Sequence, residues 1–346
     1  MNAHLYDKGM NTYFFATVAC GLEAVLAEEI EELGIKARGI KCERGKVIFY
    51  ATGDPLQLIK LRCADNIYRI LAEFQIGPHK SDLTQLAASI DKLHWKRLAF
   101  QYSESSSGIC ASASRRGEHA YSRFDMIKTI EKALGKHGFK HAPKDADALF
   151  IRADIDGEAC RISIKLTNAE FRFRGNDRIF LKGGIRPTVA AALVRISKPC
   201  KNDVFYDPFC GSGTISNERA AFPARRIMAS DMEERAVWTA ERNGRGRVIV
   251  FHADATKMPS KSASVDIIVC NPPWNKQIAV GDVQKLYISF LSEAKRILKP
   301  SGRIVLLTDC HEEIARGAEK NGLQLIEMYS LSLHGLHPKV YELTIT

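Results

Sequence analysis

Long apolar runs are absent. No stretch reaches the ~18 residues of a membrane span, and Met1–Asn11 lacks the apolar core of a secretion signal. CxxC pairs are also absent among the nine cysteines. Their odd number and scatter exclude a zinc knuckle or a dithiol redox pair and point to a reducing cytoplasm. No His or Cys spacing suggests a metal site, so no metal is expected. The glycine-rich segment near residue 210 lacks the Gly-Lys-Ser/Thr ending of a phosphate loop and the third glycine of GxGxxG. What remains is 346 residues, 45% hydrophobic and 26% charged, which excludes a largely disordered chain and suggests two or three domains.

The formal net charge is +10. It is zero over residues 1–109, +5 over 110–182 and +5 over 183–346. A surplus that begins mid-chain fits a polyanionic partner such as nucleic acid, or equally a charged, solvated surface. Up to about residue 77 the pattern reads strand (Tyr13–Val18), helix (Leu22–Leu33), strand (Lys46–Tyr50), helix (Leu56 to about Cys63), strand (Tyr68–Gln75). That order predicts a small α+β, ferredoxin-like domain. A second α+β domain follows over 78–170. It carries Arg115 and Arg116, then Lys128, Lys132 and Lys136 at i, i+4, i+8, and Arg172 and Arg174 follow it in the run Phe171–Arg174. All of these are candidate nucleic-acid contacts, and the lysine row is either a solvated helix face or a stripe that follows phosphates. After a linker over 171–186, residues 187–346 alternate short apolar strands with helices. This predicts a doubly wound, mostly parallel α/β sheet, closed by an antiparallel hairpin of Gln324–Leu331 and Lys339–Thr346.

Chemistry concentrates at the strand ends of this last domain. Asp207-Pro208-Phe209-Cys210-Gly211-Ser212-Gly213-Thr214 follows the first strand and opens a helix. Gly211 and Gly213 leave room for a turn and for a ligand close to the backbone. Asp231 ends the second strand, where a carboxylate meets ribose hydroxyls, and Asp254 follows the third, in reach of an adenine amino group. Each acid alone reads more readily as a helix cap or turn residue. Asn271-Pro272-Pro273-Trp274 ends the fourth strand. Its prolines fix the backbone, so that the Asn271 side chain and the Pro272 carbonyl can accept hydrogen bonds from an exocyclic amine. Trp274 offers a face on which a flipped base stacks; the competing reading is a turn with a core tryptophan.

Together, Asp207–Thr214, Asp231, Asp254 and Asn271–Trp274 resemble the Rossmann-like S-adenosylmethionine-dependent methyltransferases of exocyclic amines. Ile185-Arg186-Pro187-Thr188 further resembles the preceding motif of the THUMP-domain RNA guanine-N2 methyltransferases. The resemblance implies a seven-stranded catalytic sheet preceded by ferredoxin-like and THUMP domains. It also implies S-adenosylmethionine as cofactor, held by Thr188, Asp207, Phe209, Gly211, Gly213, Thr214, Asp231, Met232, Asp254, Ala255 and Asn271. Asn271, Pro272 and Trp274 would be catalytic. The implied substrate is a guanosine of tRNA, at position 6 or else 10. An rRNA guanine-N2 target (23S) and a non-catalytic RNA-binding factor are the alternatives. A cytoplasmic monomer gripping tRNA or rRNA is expected. The flank departs from many relatives, which have Gly and Arg where this chain has Asn275-Lys276-Gln277.

Overall fold

The computed structural model describes residues 12–52, 55–102, 108–143, 148–274, 281–333 and 335–345; Met1–Asn11 and Asn275–Gln277 lie outside them. In chain order the elements are β1 (Thr12–Thr17), α1 (Glu23–Glu32), β2 (Arg38–Glu43), β3 (Lys46–Ala51), β4 (Asn66–Gln75), α2 (Leu83–Asp91), α3 (Trp95–Tyr102), β5 (Gly108–Arg116) and α4 (Arg123–Lys136). There follow β6 (Lys140–His141), β7 (Leu149–Asp156), β8 (Ala159–Lys165), α5 (Ala169–Phe173), α6 (Pro187–Ile196), β9 (Val204–Asp207), α7 (Thr214–Arg219), β10 (Arg226–Asp231), α8 (Glu234–Gly244) and β11 (Ile249–His252). The chain ends with β12 (Val265–Cys270), α9 (Val283–Ile297), β13 (Leu298–Thr308), α10 (His311–Lys320), β14 (Leu323–Ser330) and β15 (Lys339–Ile345).

The first compact unit takes Met1–Thr17, Ile30–Leu61 and Asn66–Ala169. Its eight strands form one sheet in the order β2-β3-β1-β4-β8-β7-β5-β6. The two N-terminal stretches expected over 1–77 and 78–170 share this sheet through the antiparallel β4–β8 pair. Two local differences from the sequence pattern have physical reasons. Arg38–Glu43 is an exposed edge strand whose residues, RGIKCE, show no apolar alternation. The helix expected from Leu56 to Cys63 is a 3-10 turn over Pro55–Lys60 that stops short of Cys63. Helix α4 begins at a capping box. Ser122 Oγ accepts the Asp125 N–H, and the Asp125 carboxylate accepts the Ser122 N–H at 2.7 Å. The helix puts Met126, Ile130, Ala133 and Leu134 inside and leaves Lys128, Lys132 and Lys136 on the exposed side.

The second unit takes Val18–Glu29, Arg62–Asp65 and Glu170–Thr346. Its sheet runs β11-β10-β9-β12-β13-β15-β14, with β15 antiparallel to both neighbours. Strands such as VDIIVC are buried almost throughout, as parallel strands covered on both faces must be. Helix α6, PTVAAALVRI, has nine buried residues and is apolar on nearly all sides, which suits a helix enclosed by its neighbours. The short segment Arg62–Asp65 is held within this unit by hydrogen bonds. The Glu29 carboxylate accepts the Arg62 and Cys63 N–H groups at 2.8 and 2.9 Å.

Candidate active site

Strand order reverses between β9 and β12, which are adjacent and parallel at the centre of the second unit's sheet. A crevice at such a switch point opens beyond the carboxyl ends of the strands. Asp207 ends β9, Asp231 ends β10, the loop with Asp254 follows β11, and Asn271 follows β12. In register, Asp207 stands beside Ala229 and Asp231 beside His252. The Ala253 N–H donates to the Asp231 carbonyl at 3.1 Å, which draws the Asp254 loop to the end of β10.

The loop after β9 is built around carboxylates. Asp231 accepts the Gly211 N–H at 2.9 Å through one oxygen and the Glu233 N–H at 3.1 Å through the other. The Cys210 N–H donates to the Ser230 carbonyl at 3.0 Å, so the loop is stitched to β10 by backbone as well. Gly211 has φ +52°, and no atom lies within 4 Å of where a Cβ would stand. Gly213, with φ +75°, has the opposite surroundings, since a Cβ there would meet Ala240 Cβ at 3.1 Å. One glycine thus opens space in front of the loop, and the other lets α7 and α8 approach. Asp207 is fully buried. Its Oδ1 accepts the Phe209 N–H at 3.3 Å, and its Oδ2 has no partner. Burial, opposed by that N–H and reinforced by the charge of Asp231, holds Asp207 well above the usual carboxylate range. Phe209 sets its ring edge-on to Phe290 at 5.0 Å, and the Thr214 hydroxyl lies 3.2 Å from that of Ser212. Met232 is exposed, and its carbonyl bonds His252 Nε2 at 2.8 Å. Asp254 is exposed and uses Oδ1 to accept the Thr256 N–H, whereas Ala255 is buried in the core.

Across the crevice, Asn271 donates from Nδ2 to the Gly183 carbonyl at 3.5 Å. A carbonyl neighbour demands an N–H donor, which fixes the amide so that Oδ1 is the free end. That oxygen is buried and has no partner. The following turn is braced twice. Tyr287 Oη donates to the Pro273 carbonyl at 3.5 Å and lies 2.6 Å from Thr308 Oγ1, while Trp274 Nε1 donates to the Leu307 carbonyl at 3.2 Å. Pro272 is buried, and Trp274 is half-buried against the core. Two unpartnered buried oxygens, the carboxyl Asp207 Oδ2 and the amide acceptor Asn271 Oδ1, thus flank the switch point, and they call for a ligand that brings hydrogen-bonding groups. The ribose hydroxyls of S-adenosylmethionine, which donate and accept, and an exocyclic amine, which donates, are groups of this kind, and the space before Gly211 leaves backbone accessible. The residues present fit that cofactor. The Cys210 and Cys270 thiols near the crevice are pushed up by burial, so neither is a ready nucleophile.

The remaining expected residues have partners of their own. Thr188 opens α6 with its hydroxyl donated to Asp65 Oδ1 at 2.6 Å, and Arg186 reaches the other Asp65 oxygen at 2.9 Å. Arg174 donates to the Arg62 carbonyl, to the Phe171 carbonyl at 2.9 Å and to Glu218 at 3.1 Å, so its guanidinium is engaged inside the second unit. Arg172 places its guanidinium over the Phe173 ring, 4.7 Å from the centroid. Arg115 and Arg116, both exposed, line a cleft of the first unit together with Lys46, Arg152 and Arg161, which the sequence did not single out. Lys136 pairs with Asp91 at 3.4 Å. The sequence also gave no sign of Gly183, Asp65 or Asn243, because each acts on residues distant in the chain. Among the described residues no group of His, Cys, Asp or Glu could hold a metal ion.

Comparison with known proteins supports the methyltransferase fold. Residues 174–339 match the RMKL-like methyltransferase domain UPF0020, and residues 13–68 match the RlmL ferredoxin-like domain. The chain is 27% identical over 339 residues to the tRNA (guanine(6)-N2)-methyltransferase of Thermus thermophilus, covering 95% of this chain and 98% of that relative. The crystal structure of TrmN from Thermus thermophilus matches with a TM-score of 0.84 and 25% identity, covering 97% of this chain and all of the other. SMU.472, complexed with SAH, shares the fold at a TM-score of 0.75 and 18% identity, over 97% of this chain and 98% of its own. With a switch-point crevice that fits S-adenosylmethionine and a methyltransferase-domain match over residues 174–339, the chain is an S-adenosylmethionine-dependent methyltransferase.

Proposed function

We infer that the chain transfers a methyl group to the exocyclic N2 amine of a guanosine in tRNA, at guanosine 6. The observation that carries this reading is Asn271 Oδ1, buried, without a partner and fixed in orientation by the Gly183 carbonyl. The relative that matches nearly the whole chain is named for that reaction. When bound, S-adenosylmethionine supplies a methyl group on an activated sulfonium. Asp207, Phe209, Gly211, Gly213, Thr214, Asp231 and Met232 would hold it, with Asp254 and Ala255 at its adenine.

The protein's own contribution is orientation. Asn271 Oδ1 accepts one N2–H and the Pro272 carbonyl accepts the other, which leaves the nitrogen lone pair directed into the crevice. Both acceptors are neutral oxygens, and they stabilise the positive charge on N2 until its proton leaves to water. Trp274, held by its N–H on Leu307, would stand beside the extruded base. In the cleft of the first unit six cations outnumber four acids, and the exposed Arg115 and Arg116 among them support tRNA as the polyanion that is gripped.

The test supplies radiolabelled cofactor with unmodified tRNA, with the same tRNA carrying another base at position 6, and with rRNA. Label is expected in the first alone, as N2-methylguanosine on nucleoside mass spectrometry. Asn271→Ala is expected to lower the rate by about 10²–10³-fold, the cost of one lost charge-stabilising contact. Label in rRNA only, or wild-type rates in Asn271→Ala, would refute the assignment.

A further inference from the structure

The contact that fixes Asn271 is long, 3.5 Å to the Gly183 carbonyl, so it depends closely on where that carbonyl stands. Gly183 lies between α5 and α6 in chain that forms neither helix nor strand, apart from a turn closed by the Gly184 N–H on the Leu181 carbonyl at 3.2 Å. Such chain is mobile unless its polar groups are tied down. Two buried side chains tie it, one upstream and one downstream.

Upstream, Asn243 at the end of α8 treats Ile179 as a neighbouring strand would. Its Oδ1 accepts the Ile179 N–H at 3.1 Å, and its Nδ2 donates to the Ile179 carbonyl at 2.8 Å. The same Nδ2 donates to the Ser212 carbonyl at 2.8 Å, so one amide joins this segment to the loop after β9. Downstream, Asp65 grips Arg186 with one oxygen and the Thr188 hydroxyl with the other. Asn243 and Asp65 are each 8% exposed, so both anchors work away from water, where hydrogen bonds are hardest to exchange.

We propose that Asn243 and Asp65 are positioning residues for methyl transfer: they hold Ile179–Thr188 so that the Gly183 carbonyl keeps Asn271 Oδ1 turned toward the amine. The proposal rests on the role given to Asn271 above, and it places part of the amine site's precision in Arg62–Asp65, far from the catalytic motifs in sequence. Asn243 acts on two loops at once, whereas Asp65 acts on the segment alone.

The experiment uses the full chain with Asn243→Ala, Asp65→Ala and the milder Asp65→Asn, each alone and combined with Asn271→Ala. Amide hydrogen exchange is followed across residues 179–188, and single-turnover methyl transfer is measured at saturating cofactor and tRNA, per cofactor-binding molecule. Exchange in 179–188 is expected to rise about tenfold or more while β12 and β13 stay protected. The transfer rate is expected to fall about tenfold, with a smaller loss in Asp65→Asn and cofactor affinity nearly unchanged in both Asp65 variants. Added to Asn271→Ala, either change should cost less than about twofold more, because residues acting through one group are not additive. Unchanged exchange in 179–188, or a full multiplicative loss in the double variants, would overturn the proposal. Wild-type protein that methylates no RNA would sink the function proposed above and with it the positioning role, whereas unchanged exchange in an active enzyme would sink the positioning role alone.

Discussion

Replacing Gly211 and Gly213 by alanine, one at a time, should separate a ligand-facing glycine from a packing glycine two residues away. Both have positive φ, +52° and +75°, and each alanine carries the cost of the left-handed region, about 1–2 kcal/mol. Their surroundings differ. At Gly213 the new methyl group meets Ala240 Cβ at 3.1 Å, Ala240 Cα at 3.2 Å and Asn217 Nδ2 at 3.3 Å. Ala240 sits on α8 and cannot move aside without shifting the helix, so overpacking adds about 1–3 kcal/mol. At Gly211 no atom lies within 4 Å, and nothing is added. The difference, about 2 kcal/mol, corresponds to roughly 4–8 °C in the midpoint for a unit of this size. Calorimetry should therefore show Gly213→Ala melting well below Gly211→Ala. Titration calorimetry with S-adenosylmethionine should show the reverse order of damage, since the Gly211→Ala methyl group enters the open crevice and the other is buried between helices. Equal melting shifts, or full cofactor affinity in Gly211→Ala, would refute this division of labour.

Two further outcomes follow from charge. Asp207 has its folded pKa raised by burial, so the folded state holds its proton more tightly than the unfolded chain, whose value is about 3.9. The stability of the wild type should therefore fall relative to Asp207→Asn as pH rises from about 4 through the folded value. Urea midpoints across that range check this, and a pH-independent difference would contradict it. Arg115→Ala and Arg116→Ala, exposed on β5, should weaken tRNA binding for all sequences alike and lower the slope of log affinity against log salt by up to about one each. An unchanged slope in both would remove these residues from the RNA-binding surface.

The catalytic sheet was legible because its strands are apolar runs such as VDIIVC, bounded by residues that stop them. Asp207-Pro208 and Asn271-Pro272-Pro273 mark the strand ends in sequence and stand at the crevice in the structure. The arginines were less legible. Phe171–Arg174 reads as a grip on RNA, but Arg174 and Arg62 both bond Glu218, whose side chain is 1% exposed, and Arg178 lies 3.8 Å from it. In sequence Glu218 is one acid in an amphipathic run, and its partners are 40 to 156 residues away. Removing one member of such a buried set leaves uncompensated charge, so these arginines serve the fold first. Asp65 and Asn243 were invisible for a similar reason, since a side chain's hydrogen bonds to distant backbone leave no mark on local periodicity.

The interleaving of the chain also sets an order of events in folding. The Ser332 N–H donates to the Cys20 carbonyl at 3.1 Å, so a stretch near the start of the second unit pairs with one near its end. About 300 residues must be looped out to form that contact. Loop closure of that span grows only slowly more costly with length, but contacts so distant in sequence slow the search for them. On a ribosome, Val18–Glu29 emerges long before the chain around Ser332 exists to pair with it. The second unit therefore completes only once β14 and β15 have been made, whereas the eight-stranded sheet of the first unit has all its strands as soon as β8 is made.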